Sequence, residues 1–459
     1  MQTLDQRLAR YTRSFSYDRL SAEVIHEVKR RVIDTLGCAT AAFGGPPGEI
    51  ARKSAICVKN EIGASVLGGD QKSLPDLAAF ANGTLVRYLD YNDTYLSKEP
   101  AHPSDNIPAA LAVAEAGKAS GNKLIAAIAL GYEIQCRLCD AASLRVRGWD
   151  HVTFGALSTS LLSGWLMRLN ESQLRHTVAL AAVCNNALRQ TRVGEISLWK
   201  AAAFANAARN GIFAASLARL GMTGPDRVFE GEKGFFNAVS GPLVVPTMGG
   251  ERGAPYKILE SYIKLYPVEY HAQSAVSAAL TLHEEVKREG RIHDVIESIT
   301  VRTSAVSREI IGRDPEKWNP KTRETADHSL PYCVAVALWD GTVGLSQFDA
   351  AHLGNVRLKG LIRKVQVVED SELTALYPEA VGNQVEIKTK TGRHVRRVDH
   401  PKGHPKNPMS DGEVEGKFRA LCEGKLPRRR IDLILKCLWN LERTRDLGEL
   451  MSYFEVKAR

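Results

Sequence analysis

Phe154-Gly-Ala-Leu-Ser-Thr-Ser-Leu-Leu-Ser-Gly-Trp165 is small and apolar nearly all round and carries no charge. A helix on a protein surface keeps one polar face; this stretch has none, so it reads as a central helix buried on every side. Such a helix needs other helices around it, and the neighbouring sequence supplies them. Leu124, Ala127, Ile128, Ile134 and Leu138 recur mostly at helical spacing between Gly121-Asn122 and Asp140. A further helix is predicted from Leu198 to Leu220. Its run Lys200-Ala-Ala-Ala-Phe-Ala-Asn-Ala-Ala-Arg-Asn-Gly211 lets neighbours approach closely, and Gly221 with Gly224-Pro225 stops it. From the N-terminus to about residue 260 the chain reads as helix after helix.

The pattern changes after Tyr266-Pro267. Ile299–Thr303, Ile362–Val368 and Val385–Thr389 alternate as strands, and Thr391-Gly392 turns the last into Arg393–Val398, a hairpin. Helical runs near 274–289 and 329–339 accompany them. After Pro401-Lys-Gly-His-Pro-Lys-Asn-Pro408, the capping box Ser410-Asp-Gly-Glu413 opens another helix, and the tail is helical again. The predicted fold is mainly α: a large all-helical domain built from residues 1–265 and 403–459, with a smaller α+β domain, 266–402, inserted between them.

The length of 459 residues calls for two or three domains at roughly 100–200 residues each; the pattern resolves this to two. Hydrophobic residues at 44% and charged residues at 25% exclude a disordered, collagen-like or disulfide-scaffold chain. The charge sum of 61 − 52 = +9 admits nucleic acid, an anionic membrane or an anionic small molecule as partner. The N-terminal Met1–Arg10 is amphipathic and no stretch nears the ~18 apolar residues of a membrane span, so a cytoplasmic protein without a membrane partner is expected. Of the eight cysteines, only Cys136-Arg-Leu-Cys139 forms a CxxC. It lacks a second pair at zinc spacing and lies late in a helical run, so no metal is expected there.

The densest polar cluster is Tyr88-Leu-Asp90-Tyr-Asn92-Asp93-Thr94, followed by His102-Pro-Ser104-Asp105-Asn106. Asp105 or Asn106 is the predicted cap of a helix from Ile107. His102 then lies just before a helix N-terminus, whose free N–H groups suit a carboxylate ligand. Residue types alone leave this reading beside another, an Asx-rich loop that caps two helices. Four more positions stand out: Trp149-Asp150-His151 before the buried helix; Lys200 amid alanines; Glu269-Tyr-His271 at the domain junction; and Asp327-His328-Ser329 opening a helix. Each has a plain alternative, as a satisfied core histidine, a snorkelling lysine or a cap.

Together these segments resemble the MmgE/PrpD family, which includes 2-methylcitrate dehydratases, cis-aconitate decarboxylases and iminodisuccinate epimerases. The resemblance rests on the order and spacing of Asp34-Thr-Leu-Gly-Cys38, Leu89–Thr94, His102–Asp105, Gly131-Tyr-Glu133, Trp199-Lys200, Leu220–Pro225, Tyr266-Pro267 with His271, Asp327–Tyr332 and Asn407–Ser410 before Lys417-Phe418. It implies that the α+β insertion is a lid, that the site lies in the cleft between domains, and that the protein is a metal-independent, cofactor-free homodimer. Residue by residue it implies catalytic roles for Asp90, Thr94, His102, His151, Lys200 and His271, and substrate binding by Asn92, Ser104, Tyr266 and His328. The implied reaction is dehydration of 2-methylcitrate in propionate catabolism. β-Elimination needs a base beside a carboxylate, cations for the charge that develops there, and an acid for the departing hydroxyl. We expect His102 as the main proton-transfer group, oriented by Asp90, with Lys200 and Thr94 on a substrate carboxylate and His151 or His271 on the second proton. The alternatives are cis-aconitate decarboxylation or epimerisation in the same cleft, and a basic nucleic-acid-binding protein using Lys388–Arg430. That last stretch mixes in Asp399, Asp411, Glu413, Glu415 and Glu423, which fits a solvated face equally well.

Overall fold

The computed structural model describes residues 2–58 and 63–456, and its long elements are helices. The chain divides into two compact units: one runs from the N-terminus to Tyr262 and resumes at Ser410, the other is Ile263–Met409.

In the first unit the helix Val152–Leu166 is buried at every residue from Val152 to Gly164. It packs along Trp199–Arg219 and against Gly121–Ala141. Glycine sets the closeness of the first pair. A Cβ at Gly155 would stand 2.3 Å from the Phe204 ring, and one at Gly211 2.3 Å from Thr159 Oγ1. Residue 155 thus opposes 204, and 159 opposes 211, so the two helices run parallel and begin at the same end. The helix Pro75–Tyr88 lies on the far side of Trp199–Arg219, with Gly83 against Ala205.

The helix Asp411–Cys422 opens on the expected capping box: Ser410 Oγ accepts from the Glu413 N–H and Glu413 Oε2 from the Ser410 N–H. It packs on Ala22–Ala41, where Gly37 leaves room for Phe418 and Lys417 reaches Asp34 at 2.6 Å. Arg428–Trp439 follows and buries Ile431, Ile434, Leu435 and Leu438, the i, i+3, i+4, i+7 stripe.

The second unit carries a four-stranded sheet of β1 (Ile296–Thr303), β2 (Val365–Glu369), β3 (Asn383–Thr389) and β4 (Arg393–Val398), in the order β2-β1-β3-β4. Only β1 and β2 are parallel. Ile299 and Val301 of β1 face Ile387 and Val385 of β3, and these four join one core with the helices Gln273–Val286 and Leu330–Asp340. The strand expected from Ile362 begins three residues later. Asn355 Oδ1 caps a helix Val356–Ile362 that buries Leu358, Leu361 and Ile362 at helical spacing, so the apolar Ile362 belongs to that helix. Arg393, Arg396 and Arg397 of β4 pair with Glu386, Glu285, Glu372 and Asp399 of the same unit. All eight cysteines are free, with Cys136 and Cys139 buried. Among the described residues no helix is long and apolar enough to cross a membrane.

Candidate active site

Three helix starts meet in the first unit. Val152–Leu166 and Trp199–Arg219 begin side by side, and the turn Pro103–Asn106, which leads into Ile107–Ala116, touches both. His151 occupies the cap position of the first helix, Lys200 the first turn of the second, and His102 the position before the short turn Pro103–Asn106 that leads into the third. The positive dipole ends of the first two helices therefore border His151 and Lys200.

Asp90 stands just past the end of Pro75–Tyr88 with φ of +51°, a left-handed conformation uncommon outside glycine. It is fully buried between two cations. Arg87 Nη1 donates to Asp90 Oδ1, and Lys200 Nζ lies 3.7 Å from the same oxygen. Arg87 also places Nη2 2.8 Å from His102 Nε2. A guanidinium has no acceptor, so His102 Nε2 carries the lone pair and Nδ1 the proton. That Nδ1–H donates to the Asp93 carbonyl at 2.7 Å, with Thr94 Oγ1 at 3.3 Å. The group that orients His102 at Nδ1 is therefore the Asp93 carbonyl. Asp90, expected in that role, reaches the ring through Arg87.

A polar scaffold holds this arrangement. Asp93 accepts from the Ser104 N–H at 2.9 Å and from the Tyr132 hydroxyl at 2.7 Å. Asn92 Nδ2 donates to Ser104 Oγ and Asp105 Oδ1. Burial raises the Asp105 carboxyl to about 7, against the pull of Arg87. Asn106 holds the cap position of its helix, but its side chain is spent elsewhere: Nδ2 donates to Pro103 O and Gln135 Oε1, and Oδ1 accepts from Ser158. The expected side-chain cap is absent because these buried partners compete for the amide.

The His151 ring lies 5.8 Å from that of His102. Its Nδ1 is 2.8 Å from Asp150 Oδ1, and Asp150 Oδ2 is 2.9 Å from Arg192 Nε. Burial alone would raise Asp150, but Arg192 and His151 hold it well below the usual carboxylate range. Asp150 is thus ionised and takes the Nδ1–H of His151. Burial pushes the His151 imidazole down despite Asp150, so the ring is neutral and its Nε2 carries a lone pair. Among the described residues that buried Nε2 has no hydrogen-bond partner.

The second unit repeats the motif. His271 Nδ1 is 2.8 Å from Glu269 Oε1, and its buried Nε2 has no partner among the described residues. Burial works to raise Glu269, but His271, His328 and Lys264 outweigh it and hold the carboxyl at about 2. His328 Nδ1 pairs with Asp327, and the Tyr266 N–H and carbonyl both engage the Gln273 amide. Ser329 caps Leu330–Asp340 through Oγ. Among the described residues no group of three His, Cys, Asp or Glu side chains is arranged to hold a metal ion.

The model of the MmgE/PrpD N-terminal domain matches residues 6–245, and that of the C-terminal domain residues 266–441. The chain belongs to the MmgE/PrpD family. It is 29% identical to the 2-methylcitrate dehydratase of Salmonella typhimurium over 435 residues, covering 88% of this chain and 87% of that protein. The corresponding enzyme of Salmonella typhi is 30% identical over 83% of this chain and 82% of its own length. The human cis-aconitate decarboxylase is 28% identical over 98% of this chain and 94% of its own.

Within this MmgE/PrpD enzyme, seven of the ten residues singled out from sequence share the first unit: Asp90, Asn92, Thr94, His102, Ser104, His151 and Lys200. Tyr266, His271 and His328 belong to the second. Sequence reasoning missed Arg87 and Arg192 as site residues. Arg87 precedes Asp90 by one helical turn and carried a usable signal, a cation at i−3 from a cluster acid. Arg192 joins Asp150 across 42 positions, and no local pattern announces such a pair.

Proposed function

We propose that this chain is a hydro-lyase that dehydrates 2-methylcitrate, or a closely related tricarboxylate, to 2-methyl-cis-aconitate. The observation that carries the reading is His151: a buried imidazole with Asp150 on Nδ1 and, among the described residues, an open Nε2, its ring 5.8 Å from that of His102, which Arg87 contacts.

Elimination begins with loss of a proton from carbon next to a carboxylate. His151 Nε2 takes that proton, and the imidazolium formed is stabilised by ionised Asp150. Lys200, with Thr94, holds the carboxylate on which negative charge develops, in a buried setting where such contacts are strong. This moves the first proton from His102, the sequence expectation, to His151. His102 serves the departing hydroxyl. A substrate carboxylate competes for Arg87 and draws it from His102 Nε2, which lets that nitrogen take a proton from solvent and give it to the hydroxyl as water departs. Asn92 and Ser104 complete the proposed substrate-binding set of the first unit, and His271, Tyr266 and His328 of the second keep the roles that the family resemblance implies. No metal is required in this scheme.

Relatedness to both a dehydratase and a decarboxylase supports a tricarboxylate substrate and leaves the bond that breaks to experiment. Purified protein is incubated with 2-methylcitrate, citrate, cis-aconitate and iminodisuccinate, with and without about 1 mM chelator, far above the ~μM affinity of a working metal site. The expected result is ultraviolet absorbance from a new C=C bond and a mass loss of water, fastest with 2-methylcitrate and unchanged by chelator. Release of CO2 from cis-aconitate, with no dehydration, would replace this reading by decarboxylation.

We also propose a homodimer. Val183, Leu188, Val193, Leu198, Trp199 and Phe213 are exposed. Leu188 and Trp199 line one shallow groove with Cys184 and Ala203. Apolar surface of this kind marks interaction sites.

A further inference from the structure

Among the described residues Arg192 is hydrogen-bonded at one end only. It comes from a short turn, Arg189–Arg192, in a segment whose backbone runs against the start of the His151 helix: the Asp150 N–H donates to the Ala187 carbonyl at 2.8 Å, and the Arg189 N–H to the Gly148 carbonyl at 2.9 Å. This pairing delivers Arg192 to Asp150, where Nε lies 2.9 Å from Oδ2. The side chain is only 9% exposed. Its Nη2 is buried and, among the described residues, has no acceptor. A buried cationic N–H without a partner costs stability, so such an atom points to a function.

The two orphan atoms are complementary. Asp150 holds His151 through Oδ1 and Arg192 through Oδ2. One carboxylate thus carries an open lone pair on His151 Nε2 and an open charged donor on Arg192 Nη2. A carbon acid whose acidic C–H adjoins a carboxylate presents the matching pair, a proton for the imidazole and an anionic oxygen for the guanidinium. We propose that Arg192 is a substrate-binding residue, with Nε fixing Asp150 and Nη2 taking an oxygen of the carboxylate adjacent to the carbon that His151 deprotonates. This rests on the tricarboxylate reading and adds to it the residue that places the reacting carbon.

The test uses the full-length protein and tricarballylate, a tricarboxylate without a hydroxyl, which cannot be dehydrated. Calorimetric affinity is measured for wild type, Arg192→Gln and Asp150→Asn, alongside kcat and KM on 2-methylcitrate. Arg192→Gln is expected to weaken tricarballylate by tenfold or more and to lower kcat/KM on the order of 100-fold. Asp150→Asn is expected to lower kcat while tricarballylate affinity stays within about threefold, since the guanidinium remains. Wild-type affinity in Arg192→Gln overturns the proposal. So does equal loss of binding in both variants, the mark of a purely structural pair. If Arg192→Gln does not fold, Arg192→Lys replaces it. One ammonium cannot hold Asp150 and a substrate oxygen as the fork does, so binding or turnover falls about tenfold, and wild-type values for both overturn the proposal. A wild-type protein that neither binds tricarballylate nor turns over any tricarboxylate defeats the substrate reading itself, whatever the variants do.

Discussion

At the scale of single residues, the carboxylate–histidine pairs explain most of the chemistry and one pH dependence. Asp150 and Glu269 each hold a histidine by Nδ1, and both carboxylates are ionised because a cationic neighbour outweighs burial. For Glu269 the folded value of about 2 lies below the ordinary 4.5. A depressed carboxyl contributes stability that is fully present above about pH 4.5 and is lost as the pH falls from there through about 2. Glu269→Gln should therefore lose less stability than wild type between pH 6 and pH 3, as measured by urea midpoints. Equal losses would show that Glu269 is not held in this way. The histidines were legible in sequence because they stand in polar clusters before helices. Their partners were legible only when adjacent, as in Asp150-His151. Arg192 arrives by tertiary folding, and the Asp93 contact to His102 is a backbone carbonyl, which no side-chain pattern encodes.

At the scale of elements, small residues do the positioning. His151 and Lys200 sit at neighbouring helix ends because Gly155 and Gly211 let two helices lie parallel in close contact. Ala normally gains about 1 kcal/mol over Gly inside a helix. Here Gly211→Ala should instead destabilise by about 1–3 kcal/mol, because the new methyl meets Thr159 Oγ1 at 2.3 Å and Ser160 N at 2.9 Å. Urea unfolding checks this, and a variant as stable as wild type would contradict the packing account. The buried central helix, the capping box at Ser410 and the hairpin at Thr391-Gly392 could be read from sequence, since period and turn chemistry are local. The start of β2 could not. Ile362 fits both a strand and the end of a helix, and the Asn355 cap with three buried side chains decides for the helix.

At the scale of the whole molecule, the +9 charge finds only part of its explanation. Arg87, Lys200 and Arg192 surround the proposed site, whereas the arginines of β4 are paired with surface acids. The proposed dimer offers a check at this scale. Sedimentation should give about twice the chain mass at micromolar concentration, and Leu188→Glu should shift the protein toward monomer; a monomeric wild type would refute it. The central claim concerns His151, and one measurement bears on it most directly: 2-methylcitrate turnover, followed by alkene absorbance and product mass, in wild type and in His151→Ala with its fold verified by melting. The account predicts water loss by the wild type and a fall in kcat of about 10²–10⁴-fold in the variant. Wild-type turnover in His151→Ala, or no dehydration by the wild type, would contradict it.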